Sequence, residues 1–542
     1  MSPALINDGN VVVSPTTTNG HDSKNGPTVQ KRSLIDHDEH SSEPDAKRLL
    51  TDKQNGSKNG HSVKDKLSNG HAETESPEPA KPSAVLHRSL HEDPITVIRA
   101  SGNYLYTSNG QKILDATGGA AVSCLGHGDE RIKQAINAQL DEVAYCHSLF
   151  FGTNGGEALA HELIEGTNGE MAKAFIVSSG SEAMEAAMKM ARQYFLELSP
   201  PQPNRTRFIA RKQSYHGTTL GALSLGGHVA RRALYEPLLG TNISHVSECN
   251  VYRGMRDGED EVAYVKRLAK ELDEEFQRVG PGNVCAFVAE PVVGAALGCV
   301  PAPALYFPLI FQICRTHGAL LILDEIMCGM GRTGTLHAWQ HPSIATTPDI
   351  QTIGKSLAGG YQPIAALLLS HRVVDTLRSG SASFSHGQTY QAHPVACAAA
   401  AAVQRVVRAE HLVANVARMG DLLGRGLRAR LGAHPHVGDI RGRGLFWGIE
   451  FVADKEGKRA FRPEVGVARR VHELGMREGF GISLYPGTGC VDGVRGDHVL
   501  VCPAFNVDEG VVGEIVEGVG RVVEGFFGGL EGEFGGGGGG GE

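Results

Sequence analysis

The chain has no cysteine pair spaced CxxC, no excess of basic residues and no uninterrupted apolar run of membrane-spanning length. Its ten cysteines, Cys124, Cys285, Cys314, Cys397 and Cys502 among them, are scattered. That is the pattern of reduced thiols in a long intracellular chain, not of a disulfide framework or a zinc ribbon. A formal net charge of -8 and a pI near 6.3 give no electrostatic footprint for nucleic acid or an anionic membrane, so small molecules are the expected ligand class. The opening MSPALINDGN contains acids and no apolar stretch. It resembles neither a secretory signal nor an acid-poor transit peptide, and the expected location is the cytoplasm.

With 542 residues, 41% of them hydrophobic, the chain can bury a large core in more than one lobe. Residues 1–84 are rich in Ser, Asn, Gly, His, Lys and Pro and read as a disordered tail. Residues 529–542 read as a flexible glycine-rich end. Between them KAFIVSS, RFIAR, CAFVAEP, ALLILDE and PIAALLLS are short apolar runs separated by helical patterns, the alternation of an α/β fold with a mostly parallel sheet flanked by helices. GNYLYTSNGQKILDATGG reads as a hairpin turning at Asn109-Gly110. The expected layout is a large domain over 151–400 and a smaller α+β domain built from both chain ends, 85–150 and 401–528.

Three segments carry candidate chemistry. In VSSGSEAMEAAMKMARQYF a strand gives way near Val177 to a helix, with Ser179 and Glu182 at capping-box spacing and Met184, Ala187, Met188 and Ala191 on its apolar face. Free N–H groups at such a helix start, with Gly180 allowing close approach and Ser179 and Ser181 adding hydroxyls, suit a phosphate, although a plain capped helix looks the same. ALLILDEIMCGMGRTG places Asp324 and Glu325 at the carboxyl end of an apolar strand, where open α/β sheets hold their ligands. Such an acid can cap a loop, bind magnesium in an NTPase, or keep a pyridine nitrogen protonated. PDIQTIGKSLAGG puts Lys355 in a turn flanked by Gly354, Gly359 and Gly360. A phosphate loop GxxxxGK[ST] requires glycine at 349, and the chain has Asp349. A lone lysine in such a turn is either a surface residue or a Schiff-base amine.

Helix start, strand-end aspartate and turn lysine in this order point together at a pyridoxal-phosphate (PLP) site. From about Leu86 to Phe527 the sequence resembles the class-III aminotransferases, PLP enzymes of fold type I. The resemblance implies that Lys355 carries the cofactor and moves the proton between substrate and cofactor, and that Asp324 pairs with the pyridine nitrogen. It implies a phosphate cup of Ser179, Gly180 and Ser181, with Tyr215 in QSYHGTTLGALS stacking on the ring, His216-Gly217 holding that turn, and Ile326 on the opposite face. Glu290 in VAEPVVG matches an acid near the cofactor able to pair with a substrate-binding arginine. Thr389 in SFSHGQTYQAHP matches a hydroxyl reaching the cofactor phosphate of a neighbouring subunit, which implies a homodimer with shared active sites. DATGGAAVSCLGHGDERI places Gly118, Gly119, Ser123 and Cys124 on the substrate side.

The expected activity is therefore amino transfer from an amine or amino acid to a carbonyl acceptor by a ping-pong cycle, with a PLP-dependent lyase, aminomutase or epimerase and a nucleotide-binding protein as alternatives. One departure bears on substrate. Glutamate-using relatives place an arginine just before an APP motif; here the stretch is DHVLVCPAF and Leu500 holds that position. Arg495 in GVRGDH is the candidate for a mobile carboxylate clamp.

Overall fold

The computed structural model describes residues 83–535, with side chains to 530. The tail expected over 1–84 lies outside them apart from its last two residues; of the flexible end expected over 529–542, residues 529–535 instead continue the last helix, Glu509–Gly535, and the rest lie outside the described residues.

Seven strands form the central sheet: β1 (Met171–Val177), β2 (Arg207–Arg211), β3 (Ile243–Val246), β4 (Val284–Ala289), β5 (Leu320–Asp324), β6 (Ile350–Ile353) and β7 (Ala365–Ser370). Their order across the sheet is β1-β7-β6-β5-β4-β2-β3. Only β7 runs against its neighbours, pairing antiparallel with both β1 and β6. The carboxyl ends of the other six strands therefore share one edge. The strands are apolar almost throughout because both faces are covered. Ile322 on one face packs with Met184, Met190 and Phe195 of helix α1 (Gly180–Glu197), while Leu321 and Leu323 on the other pack with Phe276 and Phe307 of the helices Glu261–Val279 and Tyr306–Thr316. The period-2 alternation of a strand thus divides one sequence, LLILD, between two cores.

The remaining structure joins the two ends of the described chain. Val97–Ser101, Tyr104–Thr107 and Lys112–Asp115 form the expected antiparallel ribbon, with Gly110 at φ 84° in its turn, and Ile482–Ser483 extends it in parallel. A second antiparallel sheet contains Val437–Gly442, Trp447–Phe451, Asp497–Val501 and Tyr485–Thr488. The helices Leu412–Leu431 and Glu509–Gly535 cover it, and Leu114, Ile482, Val499 and Val523 share one core. The alanine-rich run is a buried helix, Pro394–Ala409. Among the described residues no helix is long and apolar enough to cross a membrane.

A buried ion cluster fastens this C-terminal sheet to the central domain. Glu450, fully buried on Trp447–Phe451, lies 2.6 Å from Arg441 Nη1 and 2.5 Å from Arg253 Nη2. Arg441 also donates to the carbonyls of Gly298, at 3.0 Å, and Leu297. Glu450→Ala leaves two buried guanidinium groups short of a counter-charge, a loss of roughly 3–5 kcal/mol. The urea midpoint is expected to fall accordingly; an unchanged midpoint would mean that Asp439, 3.0 Å from Arg441, compensates.

Candidate active site

The strand edge common to β1, β2, β4, β5 and β6 opens into a cavity of about 290 Å³ lined by Ser179, Gly180, Ser181, Tyr215, His216, Glu290, Asp324, Ile326 and Lys355. Residues distant in sequence meet here because each follows the carboxyl end of a neighbouring strand.

Ser179 is the N-cap of α1, its hydroxyl accepting from Glu182 N at 3.2 Å. The return bond of the Glu182 carboxylate goes to Ser178 N, at 2.8 Å, one residue earlier than in a standard capping box. Ser181 Oγ accepts from Thr218 N at 3.0 Å, which ties the helix start to the Tyr215–Thr218 turn. The first amides of α1, at Gly180 and Ser181, have no acceptor within the helix, so the cavity receives the positive end of an 18-residue helix.

Asp324 ends β5 and is almost completely buried. Its Oδ2 is 2.8 Å from His216 Nδ1, while Oδ1 accepts from Ile326 N at 3.1 Å and Thr352 Oγ1 at 3.3 Å. Three groups from three segments thus fix its orientation. Ile326 is pinched between two glycines: a Cβ on Gly180 would lie 2.9 Å from its Cγ2, and one on Gly354 would lie 3.2 Å from its Cδ1. Both glycines are required for the isoleucine to form part of the wall.

Lys355 follows β6 in a short turn, Lys355–Leu357, at φ 45°. A non-glycine residue in the left-handed region costs on the order of 1 kcal/mol and marks a position held by its surroundings. The surroundings are visible: Gln404 Nε2 of the alanine-rich helix donates to the carbonyls of Ser356 and Leu357, at 3.1 and 2.8 Å, and the Cys124 thiol reaches Ser356 O at 3.3 Å. Lys355 itself makes no hydrogen bond or ion pair among the described residues. Burial pulls its amine down from 10.5 to about 8, against the attraction of Asp324 and Glu290. This is an amine kept partly unprotonated near neutral pH, as nucleophilic lysines require.

Glu290 accepts from Tyr215 N at 3.1 Å and Gly294 N at 2.9 Å, and burial pushes its carboxyl above the ordinary range. It is a buried acid that sets the backbone of Tyr215; Arg211 donates to its backbone carbonyl at 2.5 Å, but its carboxylate pairs with no arginine among the described residues. Tyr215 is half-buried, with the Arg231 guanidinium 4.8 Å from its ring centroid.

Several expected residues stand elsewhere. Cys124 is fully buried behind the Lys355 turn, its thiol pushed up to about 12 by burial, and the lining from this segment is Ala120. Ser123 does not line the cavity. Arg495 is exposed and held by Asp492 at 2.7 Å. Thr389 is exposed on a loop whose Gln388 reaches Glu182 at 3.3 Å. Asp349, which interrupts the phosphate-loop pattern, is buried between Arg315 and Arg372 and accepts from Leu321 N, a structural acid of the sheet. Arg88, Arg231 and Tyr485 line the cavity without any sequence signal having singled them out. A separate cavity of about 340 Å³, near Leu163, Met330 and Val407, includes Glu162 and Arg408, which pair with each other.

Known proteins agree with this arrangement. Residues 86–482 match the family described as aminotransferase class-III. An aminotransferase of Gibberella zeae is 54% identical over 80% of this chain and 84% of its own length. A chloroplastic gamma aminobutyrate transaminase of Solanum lycopersicum is 34% identical over 79% of this chain and 80% of its own. The structure of a PLP-bound amine transaminase from an uncultivated Pseudomonas species superposes with a TM-score of 0.75 at 31% identity, covering 82% of this chain and 98% of that one. A cavity with a strand-end carboxylate and an unpaired lysine, on this sheet and within this breadth of relatives, leads to one conclusion: the chain belongs to the class-III aminotransferases, PLP-dependent transaminases of fold type I.

Proposed function

We propose that Lys355 joins the PLP aldehyde, that Asp324 holds the proton on the pyridine nitrogen, and that the first turn of α1 binds the phosphate. The observation that carries this reading is the meeting, in one cavity, of an unpartnered lysine with a fixed carboxylate and a helix start. The residues fit the group: an amine without an ion pair suits an aldehyde, free amides and hydroxyls suit a dianion, and Tyr215 and Ile326 supply surfaces for a flat ring. Bound PLP supplies an electron sink that stabilises the carbanion left when substrate gives up a proton. The rest falls to the chain. Lys355 takes the proton from the substrate carbon and returns it to the cofactor carbon. His216 holds Asp324, and Glu290 holds the Tyr215 turn. The two half-reactions, amine to carbonyl and carbonyl to amine, use the same cavity in turn. Borohydride reduction of the holoenzyme followed by digestion is expected to leave the cofactor on the peptide containing Lys355; an adduct on another lysine rejects the assignment.

The working unit in this reading is a homodimer with Thr389 facing the neighbouring subunit's site. Leu149, Phe150, Phe151 and Tyr390 are each more than half exposed; Tyr145, a few residues before Leu149, makes ring contacts with Tyr390 and His393 beside Thr389. Tyr145 donates to Thr389 O at 3.0 Å. Apolar surface concentrated in this way marks an interface. Phe150→Glu is expected to shift sedimentation from dimer to monomer and to lower activity at least ~10-fold by opening the shared site; a fully active monomer excludes the shared-site reading. The ten unpaired cysteines support a reducing compartment, which we place as the cytoplasm.

A further inference from the structure

Two consecutive arginines on one short helix have opposite fates. Arg232, in Val229–Arg232, is consumed by the fold: its guanidinium donates to the carbonyls of Leu223, Ser224 and Gly226, at 3.1, 2.7 and 2.7 Å, and pairs with Glu236 at 3.2 Å. Arg231 makes no side-chain hydrogen bond and no ion pair among the described residues. It lies against Tyr215, 4.8 Å from the ring centroid, and lines the catalytic cavity. Arg88, also without a hydrogen bond or ion pair among the described residues, lines the same cavity, and both cations act on the Tyr215 phenol.

The two acids of the cavity are already engaged. Asp324 is bonded to His216, Ile326 and Thr352, and Glu290 to two backbone amides. Two exposed guanidinium groups with no hydrogen bond or ion pair among the described residues have donors available to a ligand. The planar fork of arginine matches a carboxylate through two parallel bonds, and stacking on Tyr215 orients that fork in advance. In LVCPAF the position that glutamate-using relatives fill with arginine holds the fully buried Leu500, and Arg495 is occupied by Asp492.

We propose that Arg231, braced on Tyr215 and assisted by Arg88, binds the carboxylate of the substrate and makes the enzyme selective for amino donors that carry a carboxylate remote from the amine. The arginines are exposed and Lys355 is deep, so a ligand that satisfies both spans the cavity, with its anionic end outward and its amine inward. Arg231 is a specificity-determining residue and takes no part in proton transfer. This inference rests on the placement of the reaction at Lys355.

The test separates binding from turnover. Calorimetric titration of the holoenzyme with valerate and with valeramide compares a carboxylate with its neutral counterpart, and neither has an amine to react. Wild type is expected to bind valerate at least ~10-fold more tightly than valeramide. Arg231→Leu, which keeps an apolar contact with Tyr215, abolishes the difference, and Arg231→Lys retains part of it because charge without the fork remains. In turnover, Arg231→Leu raises KM for 5-aminopentanoate about tenfold or more with kcat kept, and leaves pentylamine unchanged. Failure of wild type to bind valerate, equal binding of the two probes, or discrimination that survives in Arg231→Leu overturns the proposal. Absence of turnover with both donors counts against the roles of Lys355 and Asp324 instead, since the calorimetric comparison needs no chemistry.

Discussion

Lys355→Ala is expected to reduce kcat by at least ~10³-fold, the loss that follows when the group serving as both nucleophile and proton carrier is removed. The substitution deletes an amine that makes no hydrogen bond or ion pair, so folding has little reason to suffer. The φ of 45° is tolerated no worse by alanine than by lysine, and the turn keeps its bonds from Gln404, which run to the carbonyls of Ser356 and Leu357. Loss of activity with an unchanged unfolding midpoint is therefore the diagnostic pair. Borohydride reduction should no longer fix the cofactor to the protein. A pH dependence follows from the same amine in the wild type. Burial holds it at about 8, so its neutral, nucleophilic fraction rises as pH increases through that value. Uptake of PLP by the apoprotein should quicken from pH 7 to 9. A rate flat across that interval would show that deprotonation of Lys355 does not limit attachment.

Much of this site is legible before any folding is considered, and the reason is local. Asp324 follows an apolar run that reads as a strand in isolation, Ser179 caps a helix whose apolar face is visible in Met184, Ala187 and Ala191, and Lys355 sits among glycines. Each signal is complete within about a dozen residues. The strands β3 and β6 are harder: ISHV and IQTI are four residues each, and two polar side chains interrupt the apolar pattern of both. They are strands because neighbours on the sheet complete their hydrogen bonds, which is tertiary information. The reversed direction of β7 is of the same kind. On the substrate side, Gly118 and Gly119 lie at φ 55° and 72° and turn the chain, so that Ala120 faces the cavity while Cys124 points into the core. No spacing rule specifies that turn. Nor does the doublet Arg231-Arg232 disclose that one member is bonded to three carbonyls while the other lies against Tyr215 with no hydrogen bond among the described residues; only the packed helix separates them.

Asp324→Asn preserves volume and most of the local bonding, and this makes it the sharper probe of charge. The amide oxygen can still accept from Ile326 N and Thr352 Oγ1. What disappears is the negative charge facing His216 and, in the holoenzyme, the group that keeps the pyridine nitrogen protonated. An unprotonated nitrogen withdraws electrons far less strongly, so proton removal from the substrate slows most. The expected result is a kcat lower by about 10²–10⁴-fold, with the cofactor still attached to Lys355 and a modest change in unfolding midpoint. His216→Gln tests the support separately. It removes one donor to Asp324 and leaves the charge, and the loss expected is roughly tenfold. If Asp324 were only a structural acid tying β5 to its neighbours, the two variants would differ in stability and leave the rate of proton removal alone. A normal substrate deuterium isotope effect that grows in Asp324→Asn, with stability held, separates the two outcomes: charge on this carboxylate then acts on the chemical step, through the cofactor it faces, and not on the fold that positions it.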